Sequence, residues 1–210
     1  YFQGSFIQYL LSRDKGPLQF LINWLTYNLT GTWEEWVIRL PYCLAGIAFV
    51  YVVFEITRRL SDNNWAGIFA AILAGTNGLF IAFSRITQYQ AFVQMLLALI
   101  ILLIIGTENK KGKLQTNVGI FADRIRINAD IVKYFFAGIL FGIATLAHYD
   151  ALTFLAFICF YFAVSSFKIE NLKFKIIKSA LQKYVDFFLP FLIIIGNFYT
   201  LFFFNSTGED

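Results

Sequence analysis

The 210-residue chain has one His, two Cys, three Pro and one Met, and charged residues make up only 14% of it. A single His excludes a His-rich metal centre. Cys43 and Cys159 each sit inside an apolar run, where a thiol behaves as a small hydrophobe, so neither a disulfide framework nor a cysteine metal cluster follows. No phosphate-cradling glycine loop, zinc-ligand spacing or serine-nucleophile elbow occurs. Asn28-Leu29-Thr30 and Asn205-Ser206-Thr207 match glycosylation acceptors only as three-residue patterns, which decide nothing. Strand-length alternation is lacking as well, which argues against a transmembrane barrel. Without internal repeats or low-complexity tracts, one helical membrane domain suffices.

What the chain does contain is 59% hydrophobic and 20% aromatic residues, with a mean hydropathy of +0.65. Soluble domains carry about 25% charged residues, so lipid is the main solvent here. Crossing a hydrocarbon core of ~30 Å takes about 20 helical residues. Six segments qualify: Trp36–Thr57, Trp65–Phe83, Tyr89–Ile105, Ile131–Ala147, Ala151–Phe167 and Tyr184–Phe204. Backbone polar groups must be satisfied within each segment when no water is present, which requires helix. The fold class is therefore an all-α integral membrane protein, a polytopic helical bundle. The shorter stretch Pro17–Leu29 carries Asn23 and Asn28 and reads as an interfacial helix, with Pro17 suited to its start and Gly31 to its stop.

The polar connections alternate in charge. Thirteen of the 17 cations fall in the loops after Thr57, Gly106 and Phe167, while Arg13, Lys15, Arg39 and Arg85 fall in the alternate set. Short cationic loops stay cytoplasmic, so those four residues face outward and the net charge of +4 is a topology signal rather than a nucleic-acid footprint. The expected setting is a prokaryotic plasma membrane with its working face outside. The inner loop Thr107–Asp130 reads as long and hydrophilic, and Lys168–Lys183 as a basic amphipathic segment lying on anionic headgroups. Tyr1–Ser5 reads YFQGS, like the tail of a protease-cleavage tag, yet Phe6–Leu11 follows without a linker. The expectation is native sequence cut from a longer chain, with a second cut at Asp210.

Chemistry-bearing residues gather at the outer helix ends. Arg13, Asp14 and Lys15 precede Gly16-Pro17, Arg85 stands before Gln88, Tyr89 and Gln90, and His148, Tyr149 and Asp150 form a third group. Arg39, just before Pro41, is a fourth contributor. Together they offer cations for a phosphate, amides and phenols for sugar hydroxyls, and carboxylates for a proton or a divalent metal ion. Plainer readings stand beside these. Arg39 and Arg85 can snorkel, Tyr89 and Tyr149 can belong to an aromatic belt, Asp14 can pair with a neighbouring cation, and Asp150 can N-cap the helix from Ala151. Glu55 is spaced to pair with Arg58 and Arg59 and reads as structural.

The succession Asp14-Lys15-Gly16-Pro17-Leu18, then Arg39-Leu40-Pro41 with Ala45-Gly46, then Ser84-Arg85 leading into Gln88-Tyr89-Gln90, resembles the GT-C membrane glycosyltransferases over about residues 10 to 150. Its nearest branch looks like the protein O-mannosyltransferase and aminoarabinose-transferase group. The resemblance implies transfer of a sugar from a polyprenyl-phosphate carrier to a protein, lipid or glycan acceptor outside the cytoplasm. It also implies that Lys15 meets the donor phosphate and that Arg85 and Gln88–Gln90 line the same cavity. The phosphate-binding set is then Lys15, Arg85, Arg13 and Arg39, and the sugar or acceptor set Gln88, Tyr89, Gln90, His148 and Tyr149. His148–Asp150 departs from the family pattern, leaving the sugar open. The family's acidic residue lies upstream of the Lys-Pro element, so the catalytic base is not assigned here; Asp14 and Asp150 are the candidates within the chain. A transporter or lipid flippase is the competing reading, and it would place polar or broken-helix elements near mid-membrane.

Overall fold

The computed structural model describes residues 17–105, 120–167 and 173–206, with side chains described for 17–105, 131–164, 181–198 and 200. Every regular element among them is helical, as a chain solvated by lipid requires. Helix α1 runs Leu18–Thr30, α2 Glu35–Ser61, α3 Asn64–Thr76, α4 Gly78–Arg85, α5 Gln90–Ile105 and α6 Ile120–Ala147. A 3₁₀ turn at Tyr149–Phe154 then leads into α7, Leu155–Phe167, and α8 runs Lys173–Ser206. The molecule is an all-α integral membrane protein. Two stretches among the described residues, Glu35–Ser61 and Leu181–Phe198, are long and apolar enough to cross a bilayer unaided, and the bent α3–α4 pair has the length and composition of a broken span or a re-entrant loop. Gln90–Ile105, Ile131–Ala147 and Tyr149–Val164 are shorter apolar helices.

Four segments depart from the sequence reading. The stretch expected as one span over Trp65–Phe83 is two helices bent by 61°. At the break the Asn77 side chain accepts hydrogen bonds from the Leu79 and Phe80 N–H groups, starting α4 as an N-cap. The hydrophilic loop expected up to Asp130 is helical from Ile120, because no Gly or Pro interrupts the chain between Ile120 and Ala137. Residues 107–119 of that loop lie outside the described residues. Lys168–Lys183 was expected to lie flat, yet from Lys173 it is continuous with the apolar helix α8. Lys183 is accordingly buried, its ammonium 6.0 Å from the Tyr134 ring centroid, a distance suited to cation–π attraction. Finally, the helix expected to begin at Ala151 begins with the 3₁₀ turn.

Two features set the packing. In the bundle's larger cluster, Phe141, Phe162, Phe187 and Phe191 interlock with Tyr134, Ile100 and Ile158. Pairs such as Phe162–Phe187, at 5.5 Å and 80°, meet edge to face, each worth about 0.5–1.5 kcal/mol beyond area burial. Between α6 and α8 the backbones approach at Gly138, where a Cβ would lie 2.1 Å from the Phe187 carbonyl oxygen, and the Ile194 side chain packs onto Gly142. Small residues four apart allow such contact where lipid supplies no hydrophobic drive between helices. A second cluster, Val93, Leu96, Ala144, Ala147 and Ala151, lies at the other end of α5 and α6 and carries the polar rim.

Candidate functional site

Three strands of chain meet around that second cluster. Tyr89 ends the turn Ile86–Tyr89 between α4 and α5, and its carbonyl accepts the Val93 N–H at 3.0 Å, so the helix holds it. His148 is the sole residue between α6 and the 3₁₀ turn. Leu18, first residue of α1, packs against the same cluster as Tyr89. Gln19 ties α1 down further, its Nε2 donating to the Thr87 carbonyl at 2.7 Å. One turn on, Asn23 accepts the Tyr42 hydroxyl proton at 2.8 Å, fixing α1 against α2.

Ring stacking joins the turn at Tyr89 to the turn at His148. The Tyr89 and His148 rings lie 3.9 Å apart and 4° from parallel, with Tyr149 on the other neighbour position at 4.1 Å and 32°. The His148 Nδ1 accepts the Asp150 N–H at 3.2 Å and stands 3.0 Å from Asp150 Oδ2. His148, rather than Asp150, is thus the residue that caps the turn, which corrects the N-cap reading of Asp150. The physical reason is position: Asp150 already lies inside the 3₁₀ turn, where its carbonyl accepts from Thr153 Oγ1 at 2.7 Å. Its carboxylate is 60% exposed while the His148 side chain is 8% exposed, so a buried ring presents an open acid. Tyr89, in the turn ahead of α5, has its phenol pKa raised above 10.0 by burial first and then by the negative charge of Asp150. The phenol is therefore a neutral donor at physiological pH.

The remaining sequence-selected residues divide. Arg85 ends α4, exposed, with no ion pair among the described residues. It precedes Tyr89 by four residues, a reach of at most about 14 Å at ~3.5 Å per residue. Close approach holds α4 in place, because a Cβ on Gly46 would sit 2.5 Å from Ser84 Cβ. Gln88 is exposed in the turn, and Gln90 has its Oε1 buried with no hydrogen-bond partner. Arg39 pairs with Glu35 one turn back. Arg13, Asp14 and Lys15 lie outside the described residues. Gln19 and Asn23 were missed as positioning residues; their four-residue spacing on α1 was the available signal. Glu55 accepts from Arg58 at 2.8 Å and Arg59 at 3.2 Å, away from this rim. Among the described residues no three His, Cys, Asp or Glu side chains converge as a metal site.

An all-helical membrane bundle with a polar rim of stacked aromatics, amides and an open carboxylate belongs to the class of membrane enzymes and carriers that handle polar groups at the bilayer surface. A family model described as dolichyl-phosphate-mannose-protein mannosyltransferase matches residues 14–194, and the chain belongs to that family of GT-C-type membrane glycosyltransferases. No curated protein and no solved structure matches the chain significantly.

Proposed function

We propose that the protein moves a sugar from a polyprenyl-phosphate carrier to an acceptor on the extracytoplasmic face of a prokaryotic plasma membrane. The observation that carries this reading is the meeting of α1, the turn Ile86–Tyr89 and His148–Asp150 at one rim of a bundle in a glycosyltransferase family. Lys15 and Arg85 bind the donor phosphate, with Arg13 and Arg39 assisting once Arg39 leaves Glu35. Lys15 is three residues from Leu18, within about 11 Å of chain reach of the stacked rings' cluster. Gln88, Tyr89, Gln90, His148 and Tyr149 meet the sugar or the acceptor, the Tyr89 phenol donating and the orphan Gln90 Oε1 accepting. A carboxylate deprotonates the acceptor hydroxyl while cations stabilise the departing lipid phosphate, an inverting displacement. Asp150 and Asp14 are the candidates in this chain.

Membranes holding the complete protein, supplied with a radiolabelled polyprenyl-phosphate sugar, test the reading. Label should pass to a new product, and Arg85→Ala and Lys15→Ala should each slow it by on the order of 10²-fold while inserting normally. Transfer at full rate by both variants would refute the phosphate assignment. The helix break at Asn77 is the one feature that favours a transporter or lipid flippase, since such proteins use discontinuous helices in mid-membrane. A flippase would move the labelled lipid between leaflets with its sugar still attached.

A further inference from the structure

A cavity of about 220 Å³ lies between α2, the bent α3–α4 pair and the start of α5, with Cys43, Val50, Phe80, Ser84 and Gln94 on its wall. Ile47 and Ile81, also on the wall, are 67% and 39% exposed, so it opens sideways on the apolar flank of the bundle. Sites for whole drug-sized ligands run to about 300–1,000 Å³, and this smaller one, walled by Ile47, Phe49, Val50, Phe80 and Ile81, suits a length of hydrocarbon chain. Most polar groups on the wall are satisfied: the Ser84 hydroxyl donates to the Ile81 carbonyl at 2.8 Å, and the Cys43 thiol to the Ser84 carbonyl at 3.1 Å. Gln94 is the exception. It sits one turn into α5 from Gln90, and its amide has no hydrogen bond among the described residues.

An amide without a partner is costly in hydrocarbon, so the occupant that suits this cavity brings an acceptor to that depth. A polyprenyl chain offers only hydrocarbon below its phosphate. A glycerophospholipid carries an ester carbonyl at the head of each acyl chain. We propose that one acyl chain of an ester-linked glycerophospholipid lodges in this cavity with its ester carbonyl accepting a hydrogen bond from the Gln94 amide. The site is separate from the rim at Tyr89 and does not depend on sugar transfer.

The complete protein in mixed micelles of mild detergent with equimolar diester and diether phosphatidylglycerol provides the test, bound lipid being counted by native mass spectrometry. The two lipids differ only in the carbonyl. Wild type should retain the diester over the diether on the order of five- to tenfold, the scale of one interhelical-type hydrogen bond in an apolar medium. Gln94→Leu should erase that preference. Gly75→Leu, whose Cβ would meet the Val50 methyls at an ordinary 3.8 Å and whose side chain would fill the cavity, should lower retention of both lipids. Equal retention of the two lipids by wild type, or an unchanged preference in Gln94→Leu, overturns the proposal. So does displacement of both lipids by polyprenyl phosphate to the same extent in wild type and Gln94→Leu.

Discussion

His148 holds Asp150 through its ring nitrogen and Tyr89 through its ring face, so one buried side chain positions two others. His148→Ala removes an acceptor at the start of the 3₁₀ turn and a stacked partner, each worth about 1 kcal/mol, for a total loss of roughly 1–3 kcal/mol. The thermal midpoint in detergent reads that loss. His148→Asn keeps a capping acceptor and should recover about half of it; no recovery would mean that the nitrogen contributes little. Arg85 behaves differently because it is exposed and makes no ion pair among the described residues. Arg85→Ala should leave the thermal midpoint unchanged within about 0.5 kcal/mol and cut sugar transfer by on the order of 10²-fold, the scale of losing one charge-stabilising group. A variant that melts early would make Arg85 structural instead.

At this scale the sequence was informative about position and silent about pairing. Charge alternation and helix ends assign Tyr89, His148 and Asp150 to one side, whereas the parallel stack depends on how α5 and α6 pack, which no local pattern encodes. Arg39–Glu35 shows the reverse. The two are four residues apart on a helix, and their pairing could be read directly.

Helix α4 exists as a separate element because Asn77 caps it and Gly78 follows with open space where a Cβ would be. A hydropathy window averages over that single polar residue, so Trp65–Phe83 reads as one span. Periodicity marks apolar length and is blind to a cap in its middle. Asn77→Ala should cost about 1 kcal/mol through loss of the two hydrogen bonds to Leu79 and Phe80, read as a lower thermal midpoint. Straightening of the pair in the variant would move Arg85, so its transfer rate should fall further than stability alone accounts for. Between α6 and α8, Gly138→Val puts methyls where the Phe187 carbonyl lies, and should destabilise by about 1–3 kcal/mol or more as the helices part. A Gly138→Val protein as stable as wild type would show that these helices are not locked at that point. The continuation of α8 back to Lys173 was hidden for a related reason, since the charge run masked a helical stretch, Lys173–Lys183, that holds no Gly or Pro.

Across the described residues, Arg58 and Arg59 stand with Glu55 at the C-terminal end of α2, and the stacked rings of Tyr89 and His148 lie at the start of α5 and the end of α6. The helical fold and the alternation of ends follow from composition and segment length, because lipid leaves the backbone no alternative to helix. Which end faces out depends on the bias of Lys and Arg among loops, several of which fall outside the described residues. Sugar transfer outside the cytoplasm needs the start of α1, the turn before α5 and the 3₁₀ turn to share one face. The most direct measurement replaces Cys43 and Cys159 by Ala in the complete protein and introduces Asp14→Cys, Thr87→Cys or Tyr149→Cys one at a time. Intact cells are then treated with a membrane-impermeant maleimide. All three positions should label from outside without permeabilisation; labelling of any one of them only after the membrane is opened would contradict the shared extracytoplasmic rim.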